Sequence, residues 1–160
     1  MILGAGGYGH VVREIAEDSG IFDKIDFLDD LSPLAIGKFG DAEKFLKDYR
    51  NAVVALGNAE LRLGYIEKLR AAGFQIPAII SQRAYVSKSA KIAAGCVVEA
   101  VAIVNANAAL SEGVFVCAGA IVNHNSSVGK GCTLQCGSVT PANSSLPDKT
   151  ALKYNEVYGV

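Results

Sequence analysis

The sequence predicts an α/β domain over residues 1–80, followed by an all-β domain of short parallel strands over residues 81–160. Three observations lead to this fold class. The second half repeats with a period of six residues, and the first half has no such repeat. The first half instead alternates short apolar runs with helical patterns, as strands and helices of an α/β unit do. Glycine or aspartate follows each apolar run.

The first element is predicted to be a strand, a glycine-rich turn and a helix. Apolar residues 1–3 precede Gly-Ala-Gly-Gly-Tyr-Gly-His at residues 4–10, and a helical pattern continues to Gly20. This order is typical of a nucleotide-binding βα unit, because glycines allow close backbone approach and a helix N-terminus offers free N–H groups to phosphate. A tight turn that binds no ligand is the alternative.

Two further strands are predicted, and polar residues follow both. Residues 25–28 end in Asp29 and Asp30, and residues 52–56 end in Gly57. Ligands of open α/β sheets bind beyond the carboxyl ends of the strands, so we predict a Rossmann-like domain with its ligand at this edge. Two alternatives for the aspartates are a solvated turn and a contact to the ribose of a dinucleotide. The unit is small for the two halves that a dinucleotide requires.

The remaining parts of the first half connect these strands. A short helix is predicted over residues 42–49 and a longer one from residue 60 to about residue 72. Residues 73–81 are predicted to form a last strand and the linker to the second half. The domain boundary is therefore expected near residue 80.

The six-residue repeat predicts the fold of the second half. Every sixth residue from Val86 to Leu152 is aliphatic at eleven of twelve positions, the exception being Thr140. The residue four positions after each of these, from Ala90 to Thr150, is small in nearly every repeat. Glycine or asparagine commonly precedes it, and both tolerate the positive φ of a corner. Neither the period of a helix nor that of a flat strand equals six. Such hexapeptides are typical of a left-handed parallel β-helix, with three short strands to each coil.

Charge, hydrophobicity and cysteine spacing limit the kinds of partner and location that we expect for the protein. The net charge of −1 provides no electrostatic reason to expect nucleic acid or a membrane surface as partner. No apolar run approaches the ~20 residues of a membrane span, and no signal peptide opens the chain, so we expect a cytoplasmic protein. The four cysteines have no zinc-ligand spacing, with Cys96 and Cys132 at small corner positions, so we expect structural thiols and no metal.

Four segments together resemble a known family. They are residues 4–10, residues 27–30, residues 57–62 and residues 121–129, the last reading Ile-Val-Asn-His-Asn-Ser-Ser-Val-Gly. The chain resembles the bacterial sugar acyltransferases that include sialic acid O-acetyltransferases and UDP-4-amino-sugar N-acetyltransferases. The resemblance implies that the N-terminal domain holds a UDP-sugar and that the β-helix holds acetyl-CoA. It also implies a homotrimer with active sites between adjacent subunits.

The resemblance also assigns roles to individual residues. His124 corresponds to the catalytic base, and Asn125 follows it where the family often has an acidic residue that orients the imidazole. Thr133 corresponds to a histidine that contacts the cofactor, and Ala142 is expected beside acetyl-CoA. The positions expected to bind the nucleotide-linked sugar are Gly6, Gly7, Tyr8, Asp29, Asp30, Gly57 and Glu60, with both aspartates at the uridine.

His124 has support from the repeat itself. Residues eighteen apart stack in a three-strand coil, so Ala106 and Ala142 should lie next to His124 and leave room for an acceptor and a thioester. We expect His124 on a flat face of the prism; an exposed surface histidine is the alternative. His10, at a helix start, is expected to contribute to the turn.

A trimer is also expected from residues that point out of the prism. Val97, Val101, Ile103, Phe115 and Ile121 lie off the inward register and would expose a sizeable apolar surface on a monomer. 

Three functions stay open at this point. The first is N-acetylation of a UDP-linked amino sugar, and the second is O-acetylation of sialic acid with the same base and donor. The third is a non-catalytic trimer that binds a nucleotide sugar. Asn125 in place of an acid favours the third, as does a stretch between His124 and the closing Tyr158-Gly159-Val160 that is about one coil shorter than is usual in the family.

Overall fold

A computed structural model describes residues 1–159. It consists of an α/β part followed by a parallel β-helix, and the two parts pack against each other. Val160, the last residue of the predicted β-helix domain and of its closing motif, lies outside the described residues. No helix within residues 1–159 combines the length and the apolarity that crossing a bilayer requires.

The α/β part is built on one parallel sheet with the strand order β3-β2-β1-β4. Its elements in chain order are β1 (Ile2–Leu3), α1 (Gly7–Ser19), β2 (Phe27–Leu28), β3 (Ala35–Gly37), a 3₁₀ helix (Phe39–Phe45), β4 (Val53–Val54) and α2 (Ala59–Ala71). The strands are shorter than predicted, and β3 was not predicted. The predicted helix over residues 42–49 is instead the 3₁₀ helix. This confirms an α/β unit; its assignment as a Rossmann-like domain remains a prediction.

Local sequence accounts for both helices. Gly20 ends α1 in the left-handed conformation, with φ of 64°. Asn58 begins α2, and its side chain accepts a hydrogen bond from the Leu61 N–H at 3.0 Å. A Cβ at residue 9 would lie 2.0 Å from the Gly4 carbonyl oxygen, so only glycine at Gly9 allows the first turn of α1 to lie against the preceding loop.

The β-helix contains thirteen two-residue strands, which form three parallel sheets. We call these sheets the first, second and third faces of the prism, in the order in which the chain visits them. The first face contains β5 (Ile79–Ile80), β8 (Val97–Val98), β11 (Phe115–Val116), β14 (Thr133–Leu134) and β17 (Ala151–Leu152). The second contains β6 (Tyr85–Val86), β9 (Ile103–Val104), β12 (Ile121–Val122) and β15 (Val139–Thr140). The third contains β7 (Lys91–Ile92), β10 (Ala109–Leu110), β13 (Ser127–Val128) and β16 (Ser145–Leu146).

Paired strands lie eighteen residues apart, as in Ile121 with Val139, which is the register that the repeat predicts. The aliphatic residue of each hexapeptide points into the prism, and its interior is a continuous apolar core. A parallel β-helix is therefore confirmed, and its left-handed sense remains a prediction.

Each coil turns at three corners, where the chain passes from one face to the next. Most of these turns contain one residue with positive φ. We call the turn between the first and second faces the first corner, and the second and third corners follow in the same order. The positive-φ residues are Val101, Gly119, Gly137 and Asn155 at the first corner, Asn107, Asn125 and Asn143 at the second, and Gly95, Gly113, Gly131 and Lys149 at the third.

The strand that ends the predicted linker belongs to the β-helix. Residues 73–81 were expected to form a last strand and the linker. Gln75 forms an isolated parallel bridge with Asn51 of the α/β part, whereas β5, at the end of this segment, pairs with β8. The Ile79 N–H donates to the Cys96 carbonyl at 2.8 Å, and the Ser81 N–H donates to the Val98 carbonyl at 2.8 Å. The chain thus enters the first face before residue 80, and the predicted boundary near that residue remains a prediction.

The α/β part covers the first face. Val97 and Phe115 point outwards from this face and are buried in one apolar cluster with β1, α1 and Phe27. This corrects the expectation that these two residues contribute to an exposed apolar surface. The other three residues of that expectation remain accessible, since Val101 is exposed and Ile103 and Ile121 are half-buried.

Candidate active site

The glycine-rich loop leaves the N-terminus of α1 open. Gly6 and Gly7 are exposed, and a Cβ at either would meet no atom within 4 Å. No side chain within residues 1–159 caps the helix, and its first turn contains no acidic residue. The free N–H groups of a 13-residue helix therefore face an accessible edge, which is an arrangement that suits an anion.

Asp29 holds this loop in place. Its Oδ2 accepts from the Ala5 N–H at 2.9 Å, and its Oδ1 accepts from the Leu31 and Ser32 N–H groups at 2.9 Å each. The hydrogen bond from Ala5, followed by the one from Leu31, lowers the pKa of the Asp29 carboxyl. The carboxylate thus joins the glycine-rich loop to the turn after β2, and much of its accepting capacity is used.

Asp30 is the more available of the two aspartates. It is exposed, and its Oδ1 accepts from the Phe39 N–H at 3.1 Å. Both aspartates lie at the carboxyl end of β2, next to the end of β1. The structure therefore brings the predicted acidic pair and the glycine-rich loop to one edge of the sheet.

Tyr8 faces the β-helix instead of the open edge. Its ring packs on Phe115 with a centroid separation of 5.3 Å, and its hydroxyl accepts from Gln135 Nε2 at 3.0 Å. Burial raises the pKa of Tyr8. A Cβ at Gly57 would lie 3.2 Å from the Tyr8 ring, so the loop after β4 comes close to this side chain.

Glu60 is also placed at the junction of the two parts. It is exposed, and its carboxylate pairs with Lys149 Nζ of the β-helix at 3.0 Å. Of the seven predicted sugar-binding residues, Tyr8 and Glu60 thus contact the β-helix. The other five line the carboxyl edge of the α/β sheet.

His124 lies in the turn at the second corner. This corrects the expected position on a flat face, because the strand β12 ends at Val122 and the chain turns at His124 and Asn125. The histidine is exposed. The Asn125 N–H donates to the Ala106 carbonyl at 3.0 Å, and the Asn143 N–H donates to the His124 carbonyl at 3.1 Å. Ala106 and Ala142 occupy the equivalent turn positions, so small side chains flank the imidazole.

Asn125 belongs to a ladder of side-chain amides. Asn107 Nδ2 donates to Asn125 Oδ1 at 3.1 Å, and Asn125 Nδ2 donates to Asn143 Oδ1 at 3.2 Å. Asn125 has φ of 58°, which asparagine tolerates better than most residues. Both ends of its amide are therefore used between coils, and among residues 1–159 the His124 imidazole forms no hydrogen bond with it.

Thr133 does not suit its expected role. It is 7% exposed, and its hydroxyl accepts from Arg62 Nη2 at 3.0 Å under the α/β part. It lies on the first face, whereas His124 lies at the corner opposite that face. The structure therefore argues against the expected contact between Thr133 and acetyl-CoA. Ala142 is half-buried beside His124 and keeps its expected position.

The single chain keeps the two candidate subsites apart. The α/β part covers the first face of a three-sided prism, and His124 lies at the corner between the other two faces. A site that contains both the glycine-rich loop and His124 requires a second copy of the chain.

The thiols and the second histidine take structural positions. All four cysteines are free, and burial raises the pKa of Cys96 to about 11 and that of Cys117 to about 12. His10 packs its ring on Phe27, and its backbone N–H donates to the Gly6 carbonyl. Within residues 1–159, no group of three or more side chains suited to a metal ion occurs.

Arg62 is the residue that the sequence did not single out. It is fully buried and contacts both parts of the protein, and its side chain donates to five backbone carbonyls and to the Thr133 hydroxyl. An arginine in the first turns of a helix that also contains Lys68 and Arg70 looks like a surface residue, so nothing in the segment of residues 57–62 marked it as buried.

Comparison with known proteins finds similarity over both parts of the chain. Residues 1–69 match the model of the PglD N-terminal domain family. The acetyltransferase domain of PglB from Neisseria gonorrhoeae is 28% identical and superposes with a TM-score of 0.89, over 98% of this chain and 88% of that chain. The first part of the chain thus matches a sugar acyltransferase family model, and both parts are similar to a bacterial sugar acetyltransferase domain.

Two further structures with a similar fold contain bound ligands. The same PglB domain in complex with acetyl-CoA is 26% identical, with a TM-score of 0.62 over 97% of this chain and 95% of that chain. PerB from Caulobacter crescentus, in complex with CoA and GDP-perosamine, shares the fold at 21% identity, with a TM-score of 0.69 over 94% and 91% of the two chains. No curated protein sequence matches the chain significantly.

Proposed function

We propose that this acyltransferase N-acetylates an amino sugar linked to a nucleotide, with acetyl-CoA as the donor and His124 as the general base. The observation that carries the proposal is the similarity to the PglB acetyltransferase domain, which extends over both parts of the chain. The exposed His124 with alanines at the neighbouring turns adds to it, since a base needs an accessible position with room for two substrates.

The α/β part would hold the nucleotide. The open N-terminus of α1 suits a diphosphate, and Asp30 has accepting capacity to spare at the same edge of the sheet. We propose UDP as the nucleotide, bound by a Rossmann-like unit. Asp29 would act chiefly by shaping the loop, because three N–H groups already occupy its carboxylate.

The chemistry requires a base and little else. The acceptor nitrogen attacks the carbonyl carbon of the thioester, and His124 accepts the proton that the amine loses, because imidazole titrates near neutral pH. A backbone N–H of a neighbouring subunit would hold the oxyanion. The carbon–sulfur bond then breaks, and CoA leaves as a thiolate that takes up the proton. Much of the rate would come from holding both substrates in position.

A homotrimer would complete the site. Outward side chains of the second face form an apolar column that no other part of residues 1–159 covers fully, whereas those of the third face are small or polar. The apolar column consists of Tyr85, Ile103, Ile121, Val139 and Val157. Packing this column against neighbouring copies would bury it and bring His124 of one copy towards the α/β part of another.

An acetyl-transfer assay tests the proposal. The protein is incubated with acetyl-CoA, a thiol reagent and a panel of UDP- and GDP-linked amino sugars. We expect CoA release only when an amino sugar is present, with the N-acetylated sugar as product. Release with sialic acid alone would instead support O-acetylation by the same base and donor.

A non-catalytic binding trimer is the second candidate function. The amide ladder favours it, because Asn125 brings no charge to the imidazole and its amide is used between coils. UDP binding in calorimetry without turnover of any acceptor would support this candidate and overturn the enzymatic proposal. Sedimentation that shows a monomer at micromolar concentration would overturn the shared site.

A further inference from the structure

We propose that Arg62 is a positioning residue, which locks the nucleotide-binding loops onto the β-helix and so sets where the acceptor amine lies. This inference rests on the proposed function. It concerns a side chain that does not contact solvent, and hence acts on the substrates only through the backbone that it holds.

The guanidinium group bridges the two parts of the protein. On one side, Arg62 Nη1 donates to the carbonyls of Leu56 at 2.6 Å and Gly57 at 3.1 Å, in the loop that follows β4. On the other side, Nε donates to the Gly113 carbonyl at 2.8 Å, and Nη2 donates to the Gly131 carbonyl at 2.6 Å. One planar group thus fixes the spacing between a predicted nucleotide-binding loop and two successive coils of the β-helix at its third corner.

Arginine is the side chain that this position demands. Its charge has no carboxylate partner among the hydrogen bonds it forms within residues 1–159, and burial lowers its pKa. Carbonyl dipoles and the Phe115 ring, whose centroid is 4.1 Å from the guanidinium carbon, offset the cost of burying the cation. The fork of five donors reaches acceptors in both directions at once, which a lysine ammonium cannot do.

Phe115 links this contact to the glycine-rich loop. Its ring lies against Arg62 and also packs on Tyr8, the second residue of α1. Phe115 is therefore linked to both loops at the predicted nucleotide edge, through Tyr8 to the loop before α1 and through Arg62 to the loop after β4. A shift at Arg62 would move both of them relative to the β-helix.

The third corner of the β-helix packs closely against α2, the helix that contains Arg62. A Cβ at Gly95 or Gly113 would lie 2.8 Å or 3.1 Å from Ile66 Cδ1 of α2, and one at Gly131 would lie 2.9 Å from Leu63 Cδ1. Three stacked glycines thus admit α2 at a distance that a larger residue would not allow. Arg62 reaches the carbonyls of two of them because the helix lies so close.

Arg70 offers a matched control on the same helix. It also joins α2 to the β-helix, through an ion pair with Glu112, but its side chain is 48% exposed. Exposed ion pairs contribute little to stability and fix geometry weakly. The two arginines thus separate a buried contact that fixes position from a surface pair that does not.

The test measures kcat and nucleotide affinity separately for Arg62→Lys, Thr133→Val and Arg70→Met, well below each melting temperature. Thr133→Val removes one acceptor of Arg62 without burying an unpaired charge, so it gives a folded variant even where Arg62→Lys does not fold. We expect Arg62→Lys to lower kcat about 10²-fold, the loss typical of a displacement of about 1 Å. Thr133→Val should lower kcat by a smaller factor. UDP affinity in calorimetry should change less than about threefold in both, because the nucleotide contacts lie within the α/β part.

The outcomes separate the two proposals. Arg70→Met should keep the wild-type kcat. If the wild type is active and both Arg62→Lys and Thr133→Val keep its kcat, Arg62 only stabilises the fold and this inference is overturned alone. Loss of UDP affinity in proportion to kcat would likewise overturn it, since a binding role would then explain the data. A wild type that releases no CoA with any acceptor overturns the proposed function, and this inference with it.

Discussion

The second and third corners of the β-helix share one backbone geometry and differ in the contacts that their side chains and carbonyls form. Both turn through residues with φ near 60–70°, with asparagines at the second corner and mainly glycines at the third. The glycines let α2 lie against the coil and expose carbonyls to Arg62. The asparagines instead join coils through their amides and leave His124 accessible. The third corner thus joins the β-helix to the α/β part, whereas the second corner stays accessible to solvent.

This difference shows which property of a corner residue matters. Positive φ is required at both corners, and either glycine or asparagine satisfies it. What glycine adds is room for a neighbouring helix, whereas asparagine adds lateral hydrogen bonds. The predictions below test each half of this comparison, in order of decreasing effect.

The largest effect is expected at the second corner, in catalysis. His124→Ala removes the proposed base, so kcat should fall about 10²–10⁴-fold, the span typical of losing one acid–base group. UDP affinity should stay unchanged, because we propose that the α/β part holds the nucleotide. Steady-state kinetics and calorimetry provide the two measurements.

His10→Ala serves as the histidine control and should keep most of the activity. Turnover of His124→Ala at the wild-type rate would remove this residue from the mechanism and leave the activity resting on similarity of fold.

The next effect is expected at the third corner, in stability. Gly131→Ala places a Cβ 2.9 Å from Leu63 Cδ1 at φ of 68°, so strain and overpacking together should destabilise the protein by about 2–4 kcal/mol. Gly119→Ala has φ of 69° but its Cβ meets only an atom 3.9 Å away, so it should cost only about 1–2 kcal/mol. Equal losses of stability for the two variants in urea unfolding would mean that the packing of α2 against the third corner does not require glycine.

A smaller effect of opposite sign is expected in the interior that all corners share. Thr140 occupies an aliphatic position, is fully buried, and its Oγ1 lacks a hydrogen-bond partner within residues 1–159. Thr140→Val should therefore raise stability by about 1 kcal/mol, measured as a higher midpoint of thermal unfolding. A lower midpoint would show that the hydroxyl has a partner in the assembled protein.

The smallest effect is expected for loss of the amide ladder with the backbone conformation kept. Asn125→Gly keeps the positive φ and loses two exposed hydrogen bonds, so it should destabilise by less than about 1 kcal/mol. Asn125→Ala should cost about 1–2 kcal/mol more, because alanine is strained at φ of 58°. Equal stability of the two variants would show that tolerance of positive φ is not the reason for asparagine at this corner.

The repeat predicted the β-helix well because its cause is local. An inward aliphatic residue, a small residue and a positive-φ residue recur in each hexapeptide, and the observed pairing of Ile121 with Val139 follows from counting. The α/β strands were predicted in place but too long, since two-residue strands such as Phe27–Leu28 leave little pattern. The sequence did not show that residues 73–81 end in a strand of the β-helix, because a two-residue apolar strand such as β5 looks the same in either domain.

The candidate site was predicted less evenly. The loop at Gly6 and Gly7 and the aspartates meet at one edge as expected, because the carboxyl ends of parallel strands do so in any such sheet. Thr133 was placed by resemblance alone, and the resemblance could not reveal that Arg62 uses its hydroxyl. The position of His124 at a corner instead of a face depends on where β12 ends, which is a matter of one or two residues.

The amino-acid sequence by itself determined the coil and the stacking of residues eighteen apart, because short-range periodicity dictates both. It also determined the polar edge of the α/β sheet, because polar residues follow strands whose carboxyl ends meet at one edge. Only the tertiary structure decided which face the α/β part covers, since Val97 and Ile103 are equally apolar and outward in the repeat. It also decided that a buried arginine joins the two parts. Such a contact requires carbonyls from residues 56, 113 and 131 to converge, and no local pattern encodes convergence across that distance.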